Sequence, residues 1–366
     1  MLQQESEETH TKRSSDYSKG EVTSEGLAWS EEMSNTTEDY EFEDFFADHE
    51  RLQERMQIAS LVICSFAFVL GVLGNGLVIF ITGFRMKKTV NTVWFLNLAI
   101  ADIIFIFSLI FVHAAVVFKW YINQFLCKMN KTLFFLNLYA SVYFLMVISI
   151  DRCIFVRHPV WAQNHRTPWL TSFVALGVWI LAFLLSSPHL YFGGTVKNMK
   201  VMNCFNDYGN TTDIKMYRRQ NIIISNFVFA FVIPFTVILL CYGEIVLKLR
   251  KGQLFQSSKP YKVITAVFVA FFVCWFPYHV FSFIDLKYSS RLDMWLAVDI
   301  GVPIASCLAF INSCLNPIFY IFMAQDFKDS LRKSFLSAIE NAFTEEVRQT
   351  SATNKTRSSA ELESQL

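Results

Sequence analysis

The chain has 366 residues, 53% of them hydrophobic and 17% charged, with a formal net charge of +1. That composition is too apolar for a water-soluble domain of this length and points to a membrane as the solvent. The near-neutral balance, with no basic patch, excludes a nucleic-acid binder, which needs a basic surface to displace phosphate counterions.

In chain order, residues 1–56 are polar and in places strongly acidic, so a disordered N-terminal tail with no cleavable signal is expected. Within it, Glu38 to Glu50 (EDYEFEDFFADHE) interleaves acids with aromatics and has no Lys or Arg. The segment reads either as a solvated stalk or as an electrostatic trap for a basic peptide or protein, with Tyr40 a candidate for sulfation.

A bilayer core takes about 20 apolar residues as a helix. Seven such windows follow, at Gln57 to Phe84, Val90 to Val117, Phe125 to Val156, Trp169 to Leu190, Asn221 to Leu247, Tyr261 to Leu286 and Trp295 to Met323. The fold class expected is therefore an all-α membrane protein, a seven-helix bundle over residues 57–323. Residues 324–340 add a short eighth helix, with Phe327, Leu331, Phe335 and Ala338 at helical spacing among basic residues, lying on the membrane surface. The tail 341–366 is expected to be disordered and phosphorylatable at its serines and threonines.

Lys and Arg concentrate in alternate loops: Arg85, Lys87 and Lys88, then Arg157 and Arg166, then Lys248 to Lys262, then Lys328 to Lys333. The positive-inside bias puts those loops in the cytoplasm and the N-terminus outside the plasma membrane. Asn35 and Asn210 head sequons on the outer side and are candidate glycan acceptors. Of the eight cysteines, only Cys127, at the outer end of span three, and Cys204, in the outer loop, sit in an oxidising compartment and are expected to pair. The remaining six read as buried apolar packing.

Polar residues inside the spans carry the chemistry, because an ionisable group there costs roughly 2.5 to 3.5 kcal/mol on insertion scales. Asp102 lies in mid span two, and Asn137, Ser141, Asn312 and Asn316 come to comparable depth. That cluster suits either a hydrogen-bonded packing network or a sodium ion held by hard oxygen donors. Asp151-Arg152 at the inner end of span three is either a releasable ion pair or an interfacial anchor. Pro188, Pro234, Pro277 and Pro317 permit kinks in spans four to seven, and Trp275-Phe276-Pro277-Tyr278 and Asn316 to Tyr320 surround two of them. Kinked helices with bulky neighbours are plausible hinges.

Near the outer helix ends, His113, Lys131, Phe135, Tyr139, Asn226, Tyr278 and His279 form a candidate ligand pocket, aromatic with a few polar groups. Lys131 either pairs with a carboxylate of a lipid acid or peptide or snorkels to the interface. Arg218 and Arg219 offer an alternative anion clamp, or are solvated loop charges.

Gly74-Asn75, Leu96 to Asp102 (LNLAIAD), Asp151-Arg152-Cys153, Trp179, Pro234 with Tyr242, Cys274 to Pro277 (CWFP) and Asn316 to Tyr320 (NPIFY) together resemble the rhodopsin-like G-protein-coupled receptors. Met86 to Asn91 (MKKTVN), His158 to Thr167, Asn312 to Asn316 and Gln325 to Phe327 are similar to their chemoattractant branch, which includes formyl peptide, chemerin and type 2 prostaglandin D2 receptors. The resemblance implies Arg152 as the switch that engages a heterotrimeric G protein, Trp275 as the rotamer-sensitive residue under the ligand, and Asn316 with Tyr320 as the inner relay. Asp151, Tyr242, Pro277 and Pro317 complete the activation set.

It also implies an extracellular peptide or lipid chemoattractant, inhibitory-class coupling, leukocyte chemotaxis or inflammatory signalling, and receptor kinases and arrestin acting on the tail. No cofactor beyond an allosteric sodium ion is expected. The chain departs from the formyl peptide receptors at Phe135, where they have an acid, and at Ile222 and Asn226, where they have bases. A non-signalling decoy or arrestin-only receptor is the alternative. An enzyme is not expected, because the spans hold no nucleophile, base and orienter. A transporter would carry internal repeats, which are absent here.

Overall fold

The computed structural model describes residues 37–117, 124–198, 201–206, 208–209, 211–252, 259–288 and 292–323, with positions 329 and 332, though not every side chain among them. Among these residues seven helices are long and apolar enough to cross a membrane. They follow from the sequence because hydrocarbon offers no hydrogen bonds, so each spanning segment must satisfy its own backbone.

The first span is the end of α1 (Thr37–Phe80), finished by a π-helical turn at Ile81–Arg85. Span two is α2 (Val90–Val117) and span three is α3 (Gln124–Arg157). A short α4 (Pro159–His165) leads into α5 (Pro168–Phe192), which is span four. Strands β1 (Gly193–Asn198) and β2 (Val201–Asn206) pair antiparallel, with Thr195 opposite Cys204. Helices α6 (Thr212–Phe227) and α7 (Ile233–Gly252), joined by a π-helical turn at Val228–Val232, make span five. Spans six and seven are α8 (Lys259–Tyr288) and α9 (Leu292–Met323).

The spans stand where they were expected, with two corrections. The first helix begins at Thr37, so residues 37–56 are helical rather than disordered. A helix already nucleated by its membrane span extends by one hydrogen bond per residue without a new nucleation cost, and Ala47 to Gln57 (ADHERLQERMQ) is rich in strong helix formers. The acids near its start also complement the helix dipole. Secondly, the outer loop read as Tyr191 to Gln220 is largely ordered, because the hairpin fills its first half and α6 starts nine residues early. The membrane-spanning part is all-helical as expected, and the hairpin lies between spans four and five. Apart from positions 329 and 332, the expected eighth helix and the tail lie outside the described residues, as do Asn35 and Asn210.

Span three is the centre of the bundle. From Asn137 to Leu145 every residue is buried, more than two full turns with no solvent- or lipid-facing side. Span four is peripheral by contrast. Trp169, Phe173, Leu176, Ile180 and Leu184 form an exposed stripe, while Ala175, Val178, Ala182 and Ser186 are buried. Small residues on the inner face let spans three and four approach closely, which is how membrane helices gain packing energy. The Trp179 Nε1–H donates to Asn97 Oδ1 at 2.9 Å and ties span four to span two.

Pro188, Pro277, Pro303 and Pro317 lie inside helices. Pro234 lies two residues beyond the π-helical turn of span five, in the first turn of α7, where its missing N–H costs no ladder bond within that helix. The hairpin marks one end of the bundle and Arg152 the other.

Spans six and seven meet where Gly301 leaves no room, since a Cβ there would lie 2.1 Å from the Phe281 ring. Gly177 has nothing within 4 Å of the same position. Gly301→Ala should therefore cost about 1–3 kcal/mol of overpacking, seen as a lower unfolding temperature in detergent, whereas Gly177→Ala should leave it unchanged.

Candidate functional site

Three groups of polar and aromatic residues are strung along span three. At ~1.5 Å per residue, the helix separates Lys131 from Arg152 by roughly 31 Å, so it runs through all of them.

The first group lies toward the hairpin. The Tyr139 hydroxyl donates to Asn226 Oδ1 at 2.8 Å, and Asn226 Nδ2 faces His189 Nε2 at 3.5 Å. The His189 ring stacks on Phe135, with centroids 3.4 Å apart and planes 4° from parallel. One polar chain thus joins spans three, five and four. Lys131, one turn from Phe135, is buried to 9% exposure and lies within Coulombic reach of His189. Tyr278 comes within 6.2 Å of Phe135 and 5.3 Å of Phe134, ring to ring.

The structure therefore brings together Lys131, Phe135, Tyr139, Asn226 and Tyr278 of the expected pocket. His279 is buried on the seam of spans five and six between Phe227 and Phe231, with Nε2 lacking a hydrogen bond. Arg218 is turned to the hairpin: it donates to the Tyr208 carbonyl at 3.0 Å and covers the Phe192 ring. Beside Tyr208, Gly209 holds φ at +132°, a backbone state that favours glycine. Arg219 pairs with Asp285 of span six. The His113 side chain lies outside the described residues. His189 was missed by the sequence reading, although its place next to a proline inside a span was a usable signal.

Under this group sits Trp275, fully buried, with the Phe134 ring edge-on at 5.2 Å and Phe271 at 6.0 Å. Phe134 also meets Phe105 at 5.7 Å, and Phe105 stacks on Phe310 at 4.5 Å. This aromatic run joins spans two, three, six and seven.

The second group surrounds Asp102, which is fully buried. Its Oδ1 accepts from Asn137 Nδ2 at 3.3 Å and its Oδ2 from Asn316 Nδ2 at 2.8 Å. Asn137 Nδ2 also reaches Ser141 Oγ at 3.4 Å, and Asn75 donates to the Ser313 carbonyl at 2.8 Å. Buried Asn75 Oδ1, Asn137 Oδ1 and both amide atoms of Asn312 have no hydrogen-bond partner. A carboxylate, a hydroxyl and orphaned amide oxygens form a hard donor set, and it fits a monovalent cation with its waters. Among the described residues no cluster of His, Cys, Asp and Glu would hold a transition metal.

The third group is at the other end. Arg166, brought back by α4, grips Asp151 with two parallel bonds, Nε to Oδ1 at 2.7 Å and Nη2 to Oδ2 at 2.9 Å. Arg152 stands 3.5 Å from the same carboxylate. Asn91 Oδ1 accepts from both arginines, at 2.9 Å from Arg166. The bidentate partner of Asp151 is thus Arg166, which the sequence marked only as a loop charge. Sequence distance hid it, because α4 had not been foreseen. Tyr242 packs on Phe268 at 6.0 Å and its hydroxyl bonds with Thr265. Pro277 and Pro317 sit within α8 and α9, and Tyr320 lies on α9 with its side chain outside the described residues.

Cys127 is disulfide-bonded, Cys204 lies on β2 with its side chain outside the described residues, and the other six cysteines are free.

Residues 74–320 match the model of the seven-transmembrane receptors of the rhodopsin family. Chemerin-like receptor 1 of Sus scrofa is 40% identical over 337 residues, covering 86% of this chain and 92% of that protein. N-formyl peptide receptor 2 of Homo sapiens is 41% identical over 326 residues, covering 85% and 92%. Formyl peptide receptor 2 of Mus musculus is 39% identical over 321 residues, covering 84% and 92%. With its seven spans, the chain is a multi-pass membrane protein and a G-protein-coupled receptor rather than an enzyme, and it belongs to the rhodopsin family, in the branch of the chemerin-like and formyl peptide receptors.

Proposed function

We propose that this receptor binds a chemoattractant with an anionic group, a peptide carboxylate or a lipid acid, at the hairpin end and activates inhibitory-class G proteins at the Arg152 end, driving leukocyte chemotaxis or inflammatory signalling. The observation that carries this reading is the cluster of Lys131, His189, Asn226, Tyr139, Phe135 and Tyr278, of which Lys131, Phe135 and Tyr139 stand on the same helix as Arg152. A buried cation among aromatic faces and an amide–imidazole chain is suited to an acid with an apolar body.

The disulfide at Cys127 supports an extracellular placement for this end, since disulfides persist in oxidising compartments. The basic loops at the other end support the same orientation, with the N-terminus outside. The acidic start of α1, Glu38 to Glu50, would capture a basic portion of the ligand electrostatically. At the inner end Asp151 is held by Arg166 and Arg152 together, an arrangement with a releasable arginine.

Activation is read as population shift: the agonist stabilises the open inner face only by its difference in affinity between two states. Trp275 and the Phe134 ring beneath the ligand cluster, the kinks at Pro277 and Pro317, and the inner residues Tyr242, Asn316 and Tyr320 are the path of that shift. Sodium at Asp102, Asn137, Ser141, Asn312 and Asn316 would favour one of the two states. Arrestin and receptor kinases would act on the Ser- and Thr-rich tail.

The first test is G-protein activation in cells exposed to a panel of formyl peptides, chemerin-like peptides and prostanoid acids. Arg152→Ala should abolish the response without loss of surface expression. Lys131→Ala should lower the potency of an acidic agonist about ten- to a hundred-fold, the worth of one charge-assisted hydrogen bond of roughly 1.5–3 kcal/mol, and leave an amidated analogue unaffected. Arrestin recruitment without any G-protein response would favour a decoy.

A second expectation concerns the ion. Agonist affinity should fall as sodium replaces a bulky organic cation at constant ionic strength, and Asp102→Asn should remove that dependence. An unchanged sodium response in Asp102→Asn would place the ion elsewhere.

A further inference from the structure

Two of the free cysteines meet across the seam of spans one and seven. Cys64 of span one and Cys307 of span seven lie 243 positions apart in sequence, yet their Sγ atoms are 3.8 Å apart and both side chains are buried. Among the described residues, only Phe310 joins them in their small apolar cluster. The helices that carry them are held in register further along the same seam. The Cys314 thiol donates to the Ala67 carbonyl at 3.0 Å, Asn75 donates to the Ser313 carbonyl at 2.8 Å, and Gly74 lets Pro317 approach to within 3.0 Å of where a Cβ would be. Cys314 is thereby occupied by a backbone acceptor, while Cys64 and Cys307 contact each other, with Ser60 also bonded to Cys307.

Sulfurs at this separation are in van der Waals contact. Closing to the ~2.05 Å of a disulfide asks the two sulfurs to approach further from a contact they already make. Both sit on rigid helices rather than loops, so each thiol is presented to the other without any ordering of the chain.

We infer that Cys64 and Cys307 form an oxidisable dithiol, a modification site at which a hydroperoxide staples span one to span seven. The oxidant is hydrogen peroxide, small and uncharged enough to enter the seam. One thiolate attacks a peroxide oxygen, the O–O bond breaks, and the departing hydroxide takes up a proton to leave as water, giving a sulfenic acid. The second thiol then attacks the sulfenyl sulfur, the S–S bond forms, and the hydroxyl leaves as a second water with the remaining thiol proton. Two thiols and one peroxide become one disulfide and two waters, the sulfurs losing two electrons to the peroxide oxygens. A thiol reductant reverses the step. The staple would join the first span to the helix that carries Asn316 and Pro317, and so restrain the seam beside the Asp102 chamber.

The test uses the full-length receptor in native membranes, treated with hydrogen peroxide, blocked with a membrane-permeant maleimide, digested without reductant and mapped by mass spectrometry. A linked peptide containing Cys64 and Cys307 should appear on treatment, with matching loss of both maleimide-labelled peptides, and should vanish on reduction. The disulfide of Cys127 serves as an internal standard for recovery. Cys64→Ser and Cys307→Ser should each abolish the linked species, and peroxide should raise the unfolding temperature of the wild type but of neither variant. Full retention of maleimide label at Cys64 and Cys307 after peroxide would overturn the proposal, as would a wild type in which either cysteine links to a different partner. Because the decisive measurement is made on the wild type, poor folding of a variant does not rescue the idea.

Discussion

A carboxylate at the middle of a bilayer has no water to turn to, and the arrangement of the bundle follows from how the protein answers it. Asp102 is met from two sides by the amides of Asn137 and Asn316, which places spans two, three and seven around one point. Asn75 extends the same chamber to span one. Each of these amides would be costly alone in hydrocarbon, and each donates its Nδ2 hydrogens to a buried acceptor. The packing of four helices is therefore specified by polar atoms more sharply than by the leucines and phenylalanines around them, which could interdigitate in many registers.

Span three ties this centre to both ends. On one side its residues join a polar chain, Tyr139 to Asn226 to His189, that links spans three, five and four. On the other it ends in Asp151 and Arg152, shared with Asn91 of span two and with Arg166 after α4. Between them lies Trp275, surrounded by rings rather than by hydrogen bonds. Aromatic contacts of this kind are weakly directional compared with the amide pairs above and below, so this layer is the softer one. Rearrangement within it costs less than breaking the chamber at Asp102.

Much of this was legible in the sequence for physical reasons. Hydrocarbon thickness sets span length, so the seven windows and their order could be read directly, and an acid within a span announces its own importance. That Asp102, Asn137, Ser141 and Asn316 come together could be anticipated because depth along a helix is a matter of counting. What counting does not give is rotation about each axis and the path of loops. His279, counted into the ligand cluster, faces the seam of spans five and six instead. Arg218 is at the right height but is turned to the hairpin. Arg166 reaches Asp151 only because α4 reverses the chain, and the sequence carried no strong sign of α4 beyond Pro159 at its first turn. The helix from Thr37 was hidden because its residues look like those of a solvated tail until they are joined to a span that has already nucleated the helix.

The nine consecutive buried residues from Asn137 to Leu145 have a mechanical consequence. A helix that touches neighbours on every side cannot rotate or tilt without disturbing all of them at once, so it behaves as an axle. Spans with one face toward lipid have no such restriction, since fluid acyl chains refill whatever space a moving helix leaves. Phe229, Val232, Leu239 and Leu240 of span five and Val269, Val273 and Phe276 of span six are exposed in this way. Large motion in this molecule is accordingly confined to its periphery, while the groups on span three keep a fixed separation and act as the reference against which the other helices move.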